Sequence, residues 1–217
     1  GLGDPLPPWF KGWKGDGIIA RIENSQIARA ITAIGVPTIN LRGKVPGLKF
    51  PFIGSDNRAV ATMAADHLLE RGYERFGFFG FPTNYHAGFQ TRGDCFSQAI
   101  EKAGYRCHHF EGQPDLRGTN WERQQARLAK WIHRLPKPIG IMTANDDLGF
   151  QLLSACHRAG TEVPESVAVL GVDNDTHLCD LAIPSLSSID INTDETGYRA
   201  AQLLDRLMSG RKLPKTL

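Results

Sequence analysis

IGIMTANDDLGFQLLSACHRAGTEVPESVAVLGVDN, residues 139–174, decides the fold. Its opening run, Ile139–Ala144, is almost continuously apolar, which marks a strand covered on both faces rather than one with a wet side. Leu148, Leu152, Cys156 and Ala159 then recur at spacings of three and four, the stripe of an amphipathic helix, and Gly160 supplies its stop. Val167–Val172 (VAVLGV) is a second strand of the first kind. A strand, a helix and a strand in that order imply parallel pairing, because parallel strands need a long crossover whereas antiparallel ones can close with a tight turn.

The alternation continues outward in both directions. Gly17–Ala20 (GIIA) reads as a strand, and Asn24 or Ser25 can cap a helix with Ile27, Ala30, Ile31 and Ile34 on one face and Gly35 as its stop. Val36–Leu41 and the short Pro51–Gly54 are the next strands. Asp56 or Asn57 then caps a helix with Val60, Met63, Ala64 and Leu68 inward, ending at Gly72. Arg75–Gly80 (RFGFFG) is a strand, followed by a helix through Phe96, Ala99, Ile100 and Ala103 to Gly104, and by the strand Tyr105–Glu111. Asn120 caps a helix lined by Leu128, Trp131, Ile132 and Leu135 that Pro136 and Pro138 end. After the quoted stretch come a short strand near Ser187–Ile191 and a helix Thr193–Ser209, capped by Thr193 or Asp194, with Leu204, Leu207 and Met208 inward. The class is α/β with parallel sheet.

Composition excludes several functions. With 25 basic and 23 acidic residues interspersed, a net charge of +2 gives this segment no electrostatic reason to bind DNA by itself. Cys95, Cys107, Cys156 and Cys179 are too few and too irregularly spaced for a disulfide scaffold or a zinc site, which points to a reducing cytoplasm. No apolar stretch approaches the roughly 20 residues that span a bilayer, and no signal segment opens the chain, so no membrane partner is expected. The opening Gly1-Leu2-Gly3-Asp4-Pro5 reads as the interior of a longer sequence.

In open α/β sheets ligands bind beyond the carboxyl ends of the strands. Those positions are polar here: Asp56 and Asn57, the stretch Thr83–Arg92, Asn145 with Asp146 and Asp147, Asp173 with Asn174 and Asp175, and Asp190 with Asn192. Each Asp or Asn alone reads as a helix N-cap. Together, several acceptors and an arginine in one crevice suit a ligand dense in hydroxyls. No GxGxxG, P-loop, GxSxG or HExxH is present, so no catalytic role and no cofactor is expected. His67 and Glu70 lie one helical turn apart, but without a second such pair they read as surface residues rather than metal ligands. His108 and His109 fall on opposite faces of a strand.

From Pro51 to Gly210 the successive motifs resemble the ligand-binding domain of LacI/GalR-type regulators, which is related to periplasmic sugar-binding proteins. IGSDNRAVATMAADHLLERGYERFGFFG (Ile53–Gly80), Arg92 with Phe96, the block Thr143–Asn174, and IPSLSSIDIN (Ile183–Asn192) match in order. Trp9–Ile31 and Asn120–Met142 carry a closer likeness to regulators of xylose operons, in which this fold precedes a C-terminal AraC-type DNA-binding domain. The resemblance implies a type I periplasmic-binding-protein-like fold: two Rossmann-like lobes joined by three crossovers, with a ligand cleft between them. It assigns 1–72 plus 191–217 to the N-terminal lobe and 73–190 to the C-terminal lobe, with crossovers near Gly72–Arg75 and Ser188–Ile191. One strand and helix that such domains carry ahead of Trp9 is missing from this sequence, so that lobe is incomplete.

What the resemblance implies for function is a sensing domain that takes a monosaccharide, D-xylose first, and reaches DNA through a domain outside this sequence, as a homodimer. Carried onto matching positions, it names Asp56, Arg92, Asn145 and Asp173 as ligand contacts. Trp121 falls where related regulators place an aromatic against the ligand; stapling the start of its own helix is the competing reading. Tyr85, His86, Phe89 and Gln90 are expected in a loop over the cleft, with His86 the contact among them. An exported sugar-binding protein and a sugar- or nucleotide-modifying α/β enzyme are the alternatives.

Overall fold

The computed structural model describes residues 8–10, 12–43, 45, 47–82, 85–110 and 120–213. In chain order a 3-10 turn (Pro8–Phe10) is followed by β1 (Ile18–Ala20), α1 (Ser25–Ile34), β2 (Thr38–Leu41), β3 (Phe52–Ile53), α2 (Asn57–Glu70), β4 (Phe76–Phe79) and α3 (Ala87–Lys102). Then come β5 (Cys107–His109), α4 (Trp121–Arg134), β6 (Ile139–Thr143), α5 (Asp146–Arg158), β7 (Val167–Val172), α6 (Thr176–Leu181), β8 (Ser187–Ile189) and α7 (Thr193–Met208). Every strand pairing is parallel. The chain divides into two compact units, Gly1–Ser55 with Asn192–Leu217, and Asp56–Ile191.

The smaller unit is a three-stranded sheet in the order β1-β2-β3. Asn24 caps α1 by accepting from the Ile27 amide at 2.8 Å, and Gly35, at φ 76°, ends it in the left-handed conformation a glycine adopts without strain. Ile18, Ile22, Ala28 and Ile31 form one core cluster; Ile39 packs with Ala200 and Leu203 of α7 in another. The buried Asn40 amide holds the loops beyond β1 and β2 together, accepting from the Ile22 amide at 3.3 Å and donating to the Gly43 carbonyl at 2.8 Å.

The larger unit carries five strands in the order β5-β4-β6-β7-β8. From β4 the chain moves outward to β5, then returns across β4 to β6 and on to β7 and β8. Right-handed crossovers therefore place α3 on one face and α4 with α5 on the other, and α2 packs on α3 while α4 packs on α5. All of β4 and β6 is buried, as a doubly covered sheet requires. Gly93 lets α3 approach the sheet: a Cβ there would lie 2.6 Å from the Phe78 ring.

Several expectations are corrected. Helix α2, assigned to the first lobe by the resemblance, belongs to the larger unit, where it packs on α3. The chain accordingly passes between units at 55/56 and at 191/192, not near Gly72–Arg75; a third passage is not among the described residues. Met63 is 56% exposed because the buried stripe of α2 is Val60, Ala61, Ala64, Ala65 and Leu68, and Met208 is exposed because α7 buries Ala200 and Leu203. Asn192, not Thr193 or Asp194, caps α7. Tyr105–Glu111 shortens to Cys107–His109, and Glu111 lies outside the described residues. Helix α6 was not anticipated: six residues are too few to show a periodicity, and only the Asp175 cap marks it.

Candidate functional site

The strand order of the larger unit creates a switch point between β4 and β6, where the connections leave in opposite directions and open a crevice at the carboxyl ends. Polar residues follow β6, β7 and β8 at this end of the sheet: Asn145 and Asp146, Asp173 to Asp175, and Asp190. Arg92 on α3 is 1% exposed. Its Nε donates to Asn57 Oδ1 at 3.1 Å, and Nη1 makes a short bond to the Ala144 carbonyl at the end of β6. Its guanidinium also lies 5.5 Å from the centre of the Phe89 ring. These two hydrogen bonds help fix the buried guanidinium in place.

Asp56 is the N-cap of α2, its Oδ1 accepting from the Arg58 and Ala59 amides at 3.0 and 3.1 Å. Its neighbour Asn57, which the sequence offers as the alternative cap, is the residue that bonds Arg92. His86 caps α3, its Nδ1 accepting from the Gly88 amide at 3.1 Å, so the neutral ring carries its proton on Nε2. Tyr85 precedes that cap, while Phe89 and Gln90 are inside the helix rather than in a loop. Thr83, the start of the anticipated loop, lies outside the described residues. Phe81, Tyr85 and Phe89 cluster here, with Phe81 stacked on Tyr85 at 4.7 Å and tilted against Phe89 at 4.5 Å.

Asn145 caps α5, accepting from the Leu148 amide at 3.2 Å and donating to Asp147 Oδ2 at 3.0 Å. The cap reading therefore holds for Asp56 and Asn145 as a statement of local structure, and His86, which the sequence does not offer as a cap, acts as one too. At the end of β7, Asp173 and Asn174 take φ values of 116° and 54°. Two successive non-glycine residues in that region cost about 1–3 kcal/mol each, and such strain collects at functional turns. The turn is held by Asp146, 1% exposed, whose carboxylate accepts from the Asp175 amide at 2.8 Å and the Ser188 hydroxyl at 2.6 Å. Burial pushes Asp146 above its ordinary value, against the hydrogen bonds from Ser188 and Asp175 that pull it down, and Asp173 nearby adds to the rise. The Cys179 thiol, 3.7 Å from Asp146, is pushed up to about 11 by burial and by that carboxylate, so it stays a neutral donor.

Arg92 is thus joined by hydrogen bonds to Asn57, next to Asp56, and to Ala144, next to Asn145; His86 meets the same Phe89 ring as Arg92, and Asp146 holds the turn that contains Asp173. Trp121 is not among them. It opens α4 and lines a surface cavity of about 350 Å³ with Phe150, Leu153, Ser154, His157 and Arg158 of α5 and with Leu181, Ala182 and Ile183. Among the described residues no three His, Cys, Asp or Glu side chains group as a metal site. His109 instead lies 2.9 Å from Ser97 Oγ, with its Nε2 facing that hydroxyl.

The model for a periplasmic binding protein-like domain matches residues 65–216. The chain belongs to this periplasmic binding protein-like family. Among curated relatives, the domain is 35% identical over 206 residues to the xylose operon regulatory protein of Haemophilus influenzae, covering 93% of this chain and 53% of that protein. It is 32% identical over 210 residues to the corresponding Escherichia coli K12 protein, covering 94% and 53%. The chain spans about half the length of the curated relatives it matches. Among solved structures, a xylose-binding transcription activator superposes with a TM-score of 0.79 at 31% identity, covering 93% of this chain and 54% of that one. A LacI-type regulator from Alkaliphilus metalliredigens, complexed with D-xylulofuranose, shares the fold at 22% identity, with a TM-score of 0.73 over 92% of this chain and 71% of that one.

Proposed function

We propose that this domain is the effector-binding part of a bacterial transcription regulator and that its effector is a monosaccharide, D-xylose before other pentoses. The observation that carries this reading is the polar edge of Arg92, Asn145 and Asp173 beside the rings of Phe81, Tyr85 and Phe89. An arginine fork donates, a carboxylate and an amide accept, and an aromatic cluster offers a surface for the apolar face of a sugar ring. Similarity to xylose operon regulatory proteins supports D-xylose as the first choice. Asp56 and His86, both engaged in capping, belong to the rim of this proposed site, and Trp121 is its weakest member because its cavity is lined by other residues.

In this reading the domain performs no catalysis, works in the cytoplasm and acts on DNA through a separate AraC-type domain. No helix among the described residues is long and apolar enough to cross a membrane. The protein works as a homodimer, and the face around Trp121 supports that assignment. Leu181 and Ile183 are 72% and 79% exposed beside the cavity they help line, so knob and hole share one surface, as a two-fold interface requires.

Calorimetry of the full-length protein against D-xylose, L-arabinose, D-ribose and D-glucose tests the effector. Selective binding of D-xylose that Arg92→Ala abolishes is expected. Binding by none of the four, or turnover of any of them, overturns the reading.

A further inference from the structure

The Asp146 carboxylate is nearly sealed from solvent, yet it is not one of the groups that the sugar-binding reading needs at the ligand. Its partners lie in and around the turn that follows β7: the Asp175 amide in the turn, Ser188 on β8, and the Cys179 thiol on α6. Oδ2 takes the Asp175 amide at 2.8 Å, Oδ1 takes the Ser188 hydroxyl at 2.6 Å, and the Ser188 oxygen in turn accepts the Asn174 amide at 3.0 Å. Two consecutive amides after Asp173 are thereby fixed by one carboxylate, the first through a hydroxyl and the second directly. On the other side, the Asp173 amide donates to the Ile189 carbonyl at 3.0 Å, next to Ser188. Asp146 thus joins the end of β6, the turn after β7 and strand β8.

The turn needs such an anchor. Asp173 and Asn174 sit at φ 116° and 54°, where non-glycine residues relax unless the surroundings hold them. The sequence has made room for the anchor: a Cβ at Gly171 would run into Asp146 Oδ1. The adjacent Asn145 caps the same helix, so the first residue of α5 and its cap divide two tasks, one facing the strand ends and one facing inward.

We propose that Asp146 is a positioning residue for effector binding, whose carboxylate holds the Asp173–Asp175 turn in the conformation that presents Asp173 to the ligand, without touching the ligand itself. This rests on the reading of Asp173 as an effector contact. It assigns the two neighbouring acids, Asp146 and Asp173, different work, and it makes Ser188 a relay between strand β8 and the turn.

The test uses the full-length protein with D-xylose and D-ribose as probes. The variants are Asp146→Asn, Ser188→Ala, Asp173→Asn and the double variant Asp146→Asn/Asp173→Asn. Calorimetry gives affinity and stoichiometry separately, and amide hydrogen exchange follows residues 173–175. Asp146→Asn is expected to weaken binding about tenfold or more at unchanged stoichiometry, because a hydrogen bond to a charged group is lost. Ser188→Ala should weaken it less. In the Asp173→Asn background the Asp146 change should add under about twofold, since coupled residues are not additive.

A purely structural Asp146 would lower thermal stability and the binding-competent fraction while leaving Kd unchanged, and that result, or additive losses in the double variant, overturns the proposal. If Asp146→Asn does not fold, Ser188→Ala carries the same comparison. If wild type binds neither sugar, the effector reading fails on its own, and hydrogen exchange then decides: loss of protection at 174 and 175 in Ser188→Ala or Asp146→Asn supports the anchor, and unchanged protection removes it.

Discussion

Asp173→Gly should make this protein more stable and useless as a sensor. At φ 116° and half-buried, Asp173 occupies backbone space that only glycine enters without strain. Release of that strain is worth about 1–3 kcal/mol, and the extra freedom of glycine in the unfolded chain takes back about 0.5–1 kcal/mol. The Asp173 charge also opposes ionisation of the buried Asp146, so its removal relieves a like-charge contact. A net gain of about 0.5–2 kcal/mol follows, or about 1–8 °C in Tm for a chain of this size. Binding should move the other way: two charge-assisted bonds from adjacent sugar hydroxyls, at about 1.5–3 kcal/mol each, correspond to a loss of at least about 100-fold in affinity. Thermal and urea unfolding, run beside calorimetry with D-xylose, read both effects. A variant less stable than wild type would refute the strain argument, and a variant with unchanged affinity would refute the ligand role.

Three further outcomes follow from particular contacts. His86→Ala should cost about 1 kcal/mol by uncapping α3, and His86→Ser, which can also accept from the helix amides, should recover most of it in urea unfolding. Because burial raises Asp146 from its ordinary 3.8, the folded chain holds that proton more tightly than the unfolded one. The resulting stability is complete below about pH 4 and lost as the pH rises through the folded value, so Asp146→Asn should flatten the fall in stability that wild type shows as the pH rises above about 4. Leu181→Glu should convert a dimer to monomer in sedimentation with little change in Tm, because Leu181 is exposed in the single chain; a variant that stays dimeric refutes the interface.

The fold was legible where the pattern was long and doubly buried. Ile139–Thr143 and Val167–Val172 fall within a residue of the apolar runs that announced them, and Gly35, Asn24 and Asp56 act at the helix ends where their chemistry places them. What failed has a common cause. The resemblance puts helix α2 in the other unit, and the sequence carries little to correct it, because three of the five buried residues of α2 are alanines, Ala61, Ala64 and Ala65, with little hydrophobic signal. Met63 and Met208 carry the hydrophobicity of core residues, yet both are exposed.

Position after strands marked many polar residues for the proposed site, and only the family resemblance narrowed them to Asp56, Arg92, Asn145 and Asp173. Asn57 and Asp146 stand beside them in sequence and were read as caps, since nothing in a single sequence tells which of two adjacent polar residues turns inward. Ser188 lies in an ordinary serine pair, and its part in the turn arises only from the β7–β8 pairing. Trp121 shows the converse: a large aromatic at a suggestive place that the fold turns toward a surface cavity.

The central claim is that a monosaccharide binds at the carboxyl edge of β4, β6 and β7. Nuclear magnetic resonance of the full-length protein, titrated with D-xylose and followed at the Arg92 side chain and at the amides of Gly88, Leu148 and Asp173–Asp175, tests it most directly. The account predicts saturable shifts concentrated at those positions. Shifts confined to Trp121, Ser154 and Leu181, or none at saturating sugar, would contradict it.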